Sequence, residues 1–138
     1  MILYYDWASV ERHAGPDSYD GIPYEELPID SVDWEKRGAD YIRHRSIRKG
    51  SSREFNVEPE WATEAALDEH RWASDSGSKT GESLKVVGYS PAAGRLLTVI
   101  LVPKDHPPAG DWWGASAWAA KSVDQREYEK YKSEGRER

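Results

Sequence analysis

Leu84-Lys85-Val86-Val87-Gly88-Tyr89-Ser90, then Pro91-Ala92-Ala93-Gly94, then Arg95-Leu96-Leu97-Thr98-Val99-Ile100-Leu101-Val102, is the stretch that decides the fold. Both flanks are rich in β-branched residues, which suit a pleated, half-buried surface. The four residues between them end in Gly and are short enough for a hairpin loop. The second flank is apolar at successive positions, so both of its faces must be covered. It predicts an antiparallel pair with residues 95–102 in the middle of a sheet.

Downstream, residues 103–110 carry Pro107-Pro108 and predict a stiff, exposed loop. A third strand follows as Trp112-Trp113-Gly114-Ala115-Ser116-Ala117-Trp118. Strict alternation puts Trp112 and Trp118 on one face and Trp113 on the other, and most of this aromatic stripe is read as packing. Ser122-Val123-Asp124-Gln125 has the capping-box pattern. It opens a last helix, with Asp124 at the positive helix start and Tyr128 and Tyr131 three apart on one face. Residues 133–138 are expected to fray.

Upstream, residues 75–81 read as a polar loop. Pro59 suits the first turn of a helix, where its missing N–H costs nothing. Trp61, Ala62, Ala65, Ala66 and Leu67 give that helix a face of mostly small residues for close packing on a sheet. Asp68, Glu69 and His70 follow consecutively and read as a solvated helix face, fanning apart rather than converging on an ion. Trp34, Tyr41, Ile42 and Arg45 fall near helical spacing, so residues 33–48 predict one more helix. Gly38 weakens it by about 1 kcal/mol, and Lys49-Gly50-Ser51-Ser52 ends it.

These elements define an α+β class: a small antiparallel sheet of three or more strands packed by two to three helices. Residues 34–138 form the domain. Residues 1–33 are read as an acidic irregular extension, broken by Gly15-Pro16-Asp17, Asp20-Gly21 and Leu27-Pro28.

The chain has 138 residues, enough for one core of modest size. Only 38% are hydrophobic and 32% are charged, but seven Trp and eight Tyr can found a core despite that polarity. No cysteine is present, which excludes disulfides and thiolate metal sites. No apolar run approaches the roughly 18 residues of a membrane span. The N-terminus lacks the basic region and apolar stretch of a signal peptide. A cytoplasmic protein with no membrane partner is expected.

The net charge of −6 argues at first against nucleic acid. Its distribution reverses that view. Residues 1–35 carry nine carboxylates and one Arg, a net of −8, which leaves +2 for residues 36–138. Arg43, Arg45, Arg48, Lys49 and Arg53 form a run of five cations with no carboxylate among them. The acidic leader is expected to lie against this run and screen it; the plainer reading makes both solvated surface.

Cleavage of RNA through its 2′-hydroxyl needs a base, cations for the charged phosphorane, and an acid for the leaving oxygen. Candidates for these roles are His44, Arg48, Arg95, Arg126 and Tyr128. Arg43, Arg45, Lys49 and Arg53 are candidate RNA contacts. His44 is the histidine within the cationic run, and an ordinary pKa of about 6.5 suits proton transfer. Each candidate has a plainer reading: a solvated His44, a Tyr128 packed in the core, and an Arg126 paired with Glu129 one turn on. The four histidines share no metal-ligand spacing, and no glycine-rich phosphate loop is present. Neither metal nor cofactor is expected.

The same order of elements resembles the BrnT-type toxins of bacterial toxin–antitoxin modules, whose fold is a compact variant of the RelE-type ribonuclease fold. Three pieces carry the resemblance over about residues 38–131. They are the helix Val57-Glu58-Pro59-Glu60-Trp61-Ala62-Thr63-Glu64-Ala65-Ala66-Leu67; the hairpin Val87-Gly88-Tyr89-Ser90 with Gly94-Arg95-Leu96-Leu97-Thr98-Val99; and Ser116-Ala117-Trp118-Ala119-Ala120 with Asp124, Arg126 and Tyr128. The resemblance implies the toxin component of a type II module, a metal-independent mRNA endoribonuclease neutralised by a cognate antitoxin protein. Trp118-Ala119 stands where the family carries Arg-Lys facing a phosphate. That departure defines the alternative: a non-catalytic interaction or RNA-binding domain that kept the fold.

Overall fold

The computed structural model describes residues 18–136. Five strands form one sheet in the order β3-β7-β6-β5-β4, and β1 (Ser18–Tyr19) pairs with β2 (Ile22–Pro23) in a separate antiparallel ribbon. β4 (Trp72–Asp75), β5 (Leu84–Ser90), β6 (Arg95–Pro103) and β7 (Asp111–Ala119) are antiparallel neighbours. β3 (Ser31–Asp33) runs parallel to β7, so the sheet is mixed rather than purely antiparallel. β6 lies at the centre between β5 and β7, as its two-sided apolar pattern requires. The β5–β6 turn is held from outside, because the Glu64 carboxylate accepts from Ser90 Oγ at 2.7 Å and from Ala92 N–H at 3.1 Å.

One sheet face buries Val86, Leu97, Val99, Leu101 and Trp112 against Ile42 of α1 (Lys36–Arg43) and the alanines of α3 (Pro59–Ala66). Burying each of the larger side chains is worth about 1.5–3 kcal/mol, and this is the principal core. The opposite face carries α4 (Ser122–Arg136) over a smaller cluster of Val87, Ala120 and Tyr128, flanked by Trp72 and Leu96. Polar contacts supplement that thin packing. Asp124 reaches Lys85 and Thr98, each at 3.0 Å.

Residues 18–33, read from sequence as part of the extension, contribute Tyr19, Leu27, Ile29 and Val32 to the principal core. The Tyr19 hydroxyl donates to the Glu82 carbonyl at 2.7 Å, and Trp112 Nε1 donates to the Pro28 carbonyl at 2.8 Å. The acids of this segment also pair away from the cationic run, Asp20 with His106 and Asp33 with Lys104. The screening role expected for residues 1–33 gains nothing from this described part; residues 1–17 lie outside the described residues.

Three local expectations need correction. First, the helix predicted over 33–48 is two helices, α1 and α2 (Arg45–Lys49), broken at His44. The helical bond that would link Ser46 N–H to the Ile42 carbonyl is diverted at both ends. Ser46 N–H goes to Asn56 Oδ1 at 2.8 Å, and the Ile42 carbonyl accepts from Val57 N–H at 3.1 Å. Second, Trp112 and Trp118 do not share a face. Leu101 pairs with Gly114 and Ile100 with Ser116, so Ala115 is an extra residue that inverts the alternation. Trp112 lies in the principal core, while Trp118 is opposite Thr98, which faces α4. Third, Ser122 is the first helical residue, not the cap before it. Gln125 reaches back with its side chain to the Ala120 carbonyl at 2.8 Å instead.

Candidate nucleic-acid interface

The cationic run folds into α1, the His44 break, α2 and the turn after it. Its charges meet different fates. Arg43 bonds Glu58 at 2.9 Å and lies 3.6 Å from Asp40, so its charge is matched. The Glu58 hydrogen bond holds its guanidinium above its ordinary pKa. Arg48 donates to the Tyr41 carbonyl at 2.9 Å and stacks on the Tyr41 ring at 3.5 Å. It serves as a C-terminal cap for α1, a position that favours cations. His44 is exposed, with Nδ1 2.9 Å from the Asp40 carbonyl oxygen. Lys49 and Arg53 are exposed.

Arg45 turns the other way. It bonds Glu54 at 2.7 Å and stands over the Trp118 ring at 5.4 Å. Arg45 is the first residue of α2, and Trp118 lies on the part of β7 beyond its short pairing with β3, which ends at Trp113. The Glu54 carboxyl is held below its ordinary value, first by the Arg45 hydrogen bond, with Lys49 and Lys121 adding to it. One carboxylate therefore sits among three cations. Phe55, next in sequence, stacks on Trp61 with ring centres 5.9 Å apart, and the Arg95 guanidinium covers Phe55 at 4.0 Å. Arg45 and Lys49 of α2, together with Lys121, gather around Glu54, and Arg95 covers the neighbouring Phe55, so three separate parts of the chain supply the cations.

Two open cavities flank Leu96 on the α4 side of the sheet. One, of about 310 Å³, is lined by Gly94, Arg95, Leu96, Ala119, Ala120 and Gln125. The other, of about 390 Å³, includes Asp68, His70, Tyr89 and Tyr128 in its wall. Tyr128 is buried, and its hydroxyl donates to Asp68 Oδ2 at 2.5 Å. Burial first, then that hydrogen bond and the Asp68 charge, push its pKa well above the ordinary tyrosine value. A phenol so held releases its proton reluctantly near neutrality, and its plain role is to tie α4 to the turn after α3.

Sequence alone does not single out Asp68, because residues 68–70 read as a helix face. α3 ends at Ala66, and Asp68 occupies a turn in which Oδ1 accepts from His70 N–H at 2.9 Å and Oδ2 from Tyr89 N–H at 2.8 Å. The signal available is Asp itself, whose side chain favours bonds to backbone two residues on.

The structure does not unite the five candidate catalytic residues. Arg95 and Tyr128 each line one cavity beside Leu96. His44 and Arg48 stay at the α1–α2 junction. Arg126 is exposed on α4, and the pair expected with Glu129 does not form among the described residues. Glu129 instead lines the Tyr128 cavity. No group of three His, Asp or Glu side chains suited to a metal ion occurs among the described residues, and none of their helices is long and apolar enough to cross a membrane. Set against known families and curated proteins, the chain matches no family model and no curated sequence.

Proposed function

We propose that this chain is a BrnT-like protein of a toxin–antitoxin module, directed at RNA through the surface made by Arg45, Lys49, Arg95, Lys121 and Trp118. The observation that carries the reading is that the segment Glu54-Phe55 is flanked by both Arg95, which covers Phe55, and Arg45, which bonds Glu54 and stands over Trp118. Arg95 and Trp118 come from two of the motifs that bear the family resemblance, and Arg45 belongs to the cationic run. Four cations against one carboxylate favour a polyanion, and cation release on phosphate binding supplies the free energy. Trp118 adds an aromatic plane of the kind that stacks unpaired bases.

A second reading, RNA binding without cleavage, is favoured by the scattering of the candidate acid and base residues and by the Tyr128 hydroxyl being committed to Asp68. Expression of the chain alone and incubation of purified protein with single-stranded RNA separate the two. Growth arrest together with RNA cleavage supports the toxin. Binding with intact RNA and unimpaired growth supports the binding domain. Absence of both binding and cleavage would remove the RNA reading altogether.

A further inference from the structure

We infer that the α4 side of β6 and β7 carries a bound single strand of RNA onward from Trp118 to Trp113, as a platform on which unpaired bases stack. The inference rests on the RNA-directed reading above. Register decides which side chains share this side. Thr98 bonds Asp124 of α4 at 3.0 Å, so it points toward α4, and Ile100 and Val102 follow it at alternate positions of β6. Their partners across the ladder are Trp118, Ser116 and Trp113, and residues directly opposite in an antiparallel pair share a face. Trp113 and Trp118 are an odd number of residues apart, so plain alternation would send them to opposite faces. The extra residue at Ala115 brings them to one. The other face agrees. Ala117 is buried in the principal core, and a Cβ on Gly114 would lie 2.3 Å from the Trp34 ring packed against it.

Among the described residues, α4 packs on β4 and β5. Ile100, Val102, Ser116 and Trp118 stay half-buried beside it, and Trp113 is 40% exposed. From Thr98 to Val102 the strand rises about 13 Å, at about 3.3 Å per residue. A sheet with aromatic residues on its surface stacks about two or three bases. The two ends of the platform differ in charge. At the Trp118 end, Arg45, Lys49 and Lys121 surround the single carboxylate of Glu54, and that excess of cations suits phosphates better than it suits an apolar protein surface. At the other end Lys104 stands over the Trp113 ring at 4.2 Å and is paired with Asp33, while Asp111 is exposed nearby in β7. Trp113 therefore offers stacking without a phosphate contact, and the carboxylates of Asp33 and Asp111 end the path there.

The test uses the full chain and a fluorescein-labelled uridine octamer, with anisotropy for binding, circular dichroism for folding and sedimentation velocity for self-association. Trp113→Ala should weaken binding about tenfold, as loss of one stacked base allows, and leave the slope of log affinity against log salt unchanged. Trp113→Phe should stay within about threefold of wild type, because a ring remains to stack on. Ser116→Glu puts a carboxylate between the two rings and should weaken binding at least as much as Trp113→Ala; should one of these two variants fail to fold, the other decides. If Trp113→Ala and Ser116→Glu bind as wild type does while Trp118→Ala is weakened, the strand does not cross the sheet, and the inference fails while the RNA reading stands. If Trp113→Phe loses as much as Trp113→Ala, stacking at Trp113 is wrong. If wild-type protein self-associates and Trp113→Ala makes it monomeric with RNA affinity unchanged, this side is an interface between copies and the inference is overturned. If wild-type protein binds no strand, the RNA reading fails and this inference falls with it.

Discussion

A Cβ placed on Gly88 would lie 1.8 Å from the carbonyl oxygen of Ala65. α3 therefore sits flush on β5, backbone against backbone, and the chain leaving α3 delivers Asp68 to the sheet. There it takes the Tyr89 N–H and the Tyr128 hydroxyl. Gly88→Ala should cost about 3 kcal/mol or more, the upper range for forced overpacking, because the opposing atom is backbone and cannot swing aside. A urea titration with an unchanged slope and a lower midpoint would show it. A midpoint within about 0.5 kcal/mol of wild type would mean α3 shifts freely on the sheet.

Asp124 is the buried charge between α4 and the sheet, shared between Lys85 and Thr98. The Lys85 side chain is half-buried and lies 5.4 Å from the Trp72 ring, so Lys85 can regain water if its partner is removed. Asp124 is less able to. Lys85→Met should consequently be the more damaging change, approaching the roughly 3–5 kcal/mol of a buried charge left without its partner. Asp124→Asn should cost about half as much. Equal costs, or the reverse order, measured by chemical denaturation, would show that α4 lifts to hydrate Asp124.

The Tyr128 hydroxyl sets an alkaline limit on stability. Its folded pKa is raised, so its contribution is complete below the ordinary tyrosine value of about 10 and is lost as pH rises toward the folded value. Tyr19 is raised for the same first reason, burial. Tyr128→Phe should lose about 2 kcal/mol at neutral pH, since it strips one donor from a carboxylate. Its stability should fall less steeply than wild type between pH 10 and 11, because one of two such phenols is gone. Parallel curves for the two proteins would assign the slope to Tyr19 alone.

The hairpin, the central strand and the Pro59 helix start are legible in the sequence because each rests on local chemistry: β-branched runs, a short turn, and a residue without an N–H. What stays hidden depends on partners distant in sequence. The break at His44 exists because Asn56 and Val57 capture the two groups that would continue the helix. The face of Trp118 depends on the extra residue at Ala115, which alternation cannot reveal. β3 is three residues long and finds its parallel partner at Asp111–Ala119, far along the chain. For the candidate interface, composition identifies the cations but not their pairing. Glu58 matches Arg43, Glu54 bonds Arg45, and the Tyr41 ring takes Arg48; neither the acids nor the ring stand beside their partners in sequence.

That pairing decides what salt should do to RNA binding. Removing one cation that touches a phosphate should reduce the slope of log affinity against log salt by about 0.7 for a single strand. Arg43 is already neutralised by Glu58, so Arg43→Ala should leave slope and affinity nearly unchanged. Lys121→Ala and Arg95→Ala should each reduce the slope by about that amount. Trp118→Ala should weaken binding by about 1–3 kcal/mol with no change in slope, because stacking releases no counterions. Glu54→Gln has the opposite sign. It removes the one carboxylate among Arg45, Lys49 and Lys121 and frees Arg45 for phosphate, so binding should tighten and the slope should steepen. Fluorescence anisotropy with a labelled single strand, repeated from about 50 to about 300 mM salt, reads all five variants on one scale where counterion release dominates. Weaker binding by Glu54→Gln would show that the Arg45–Glu54 pair is needed to hold Trp118 in place, and would shift the interface away from α2.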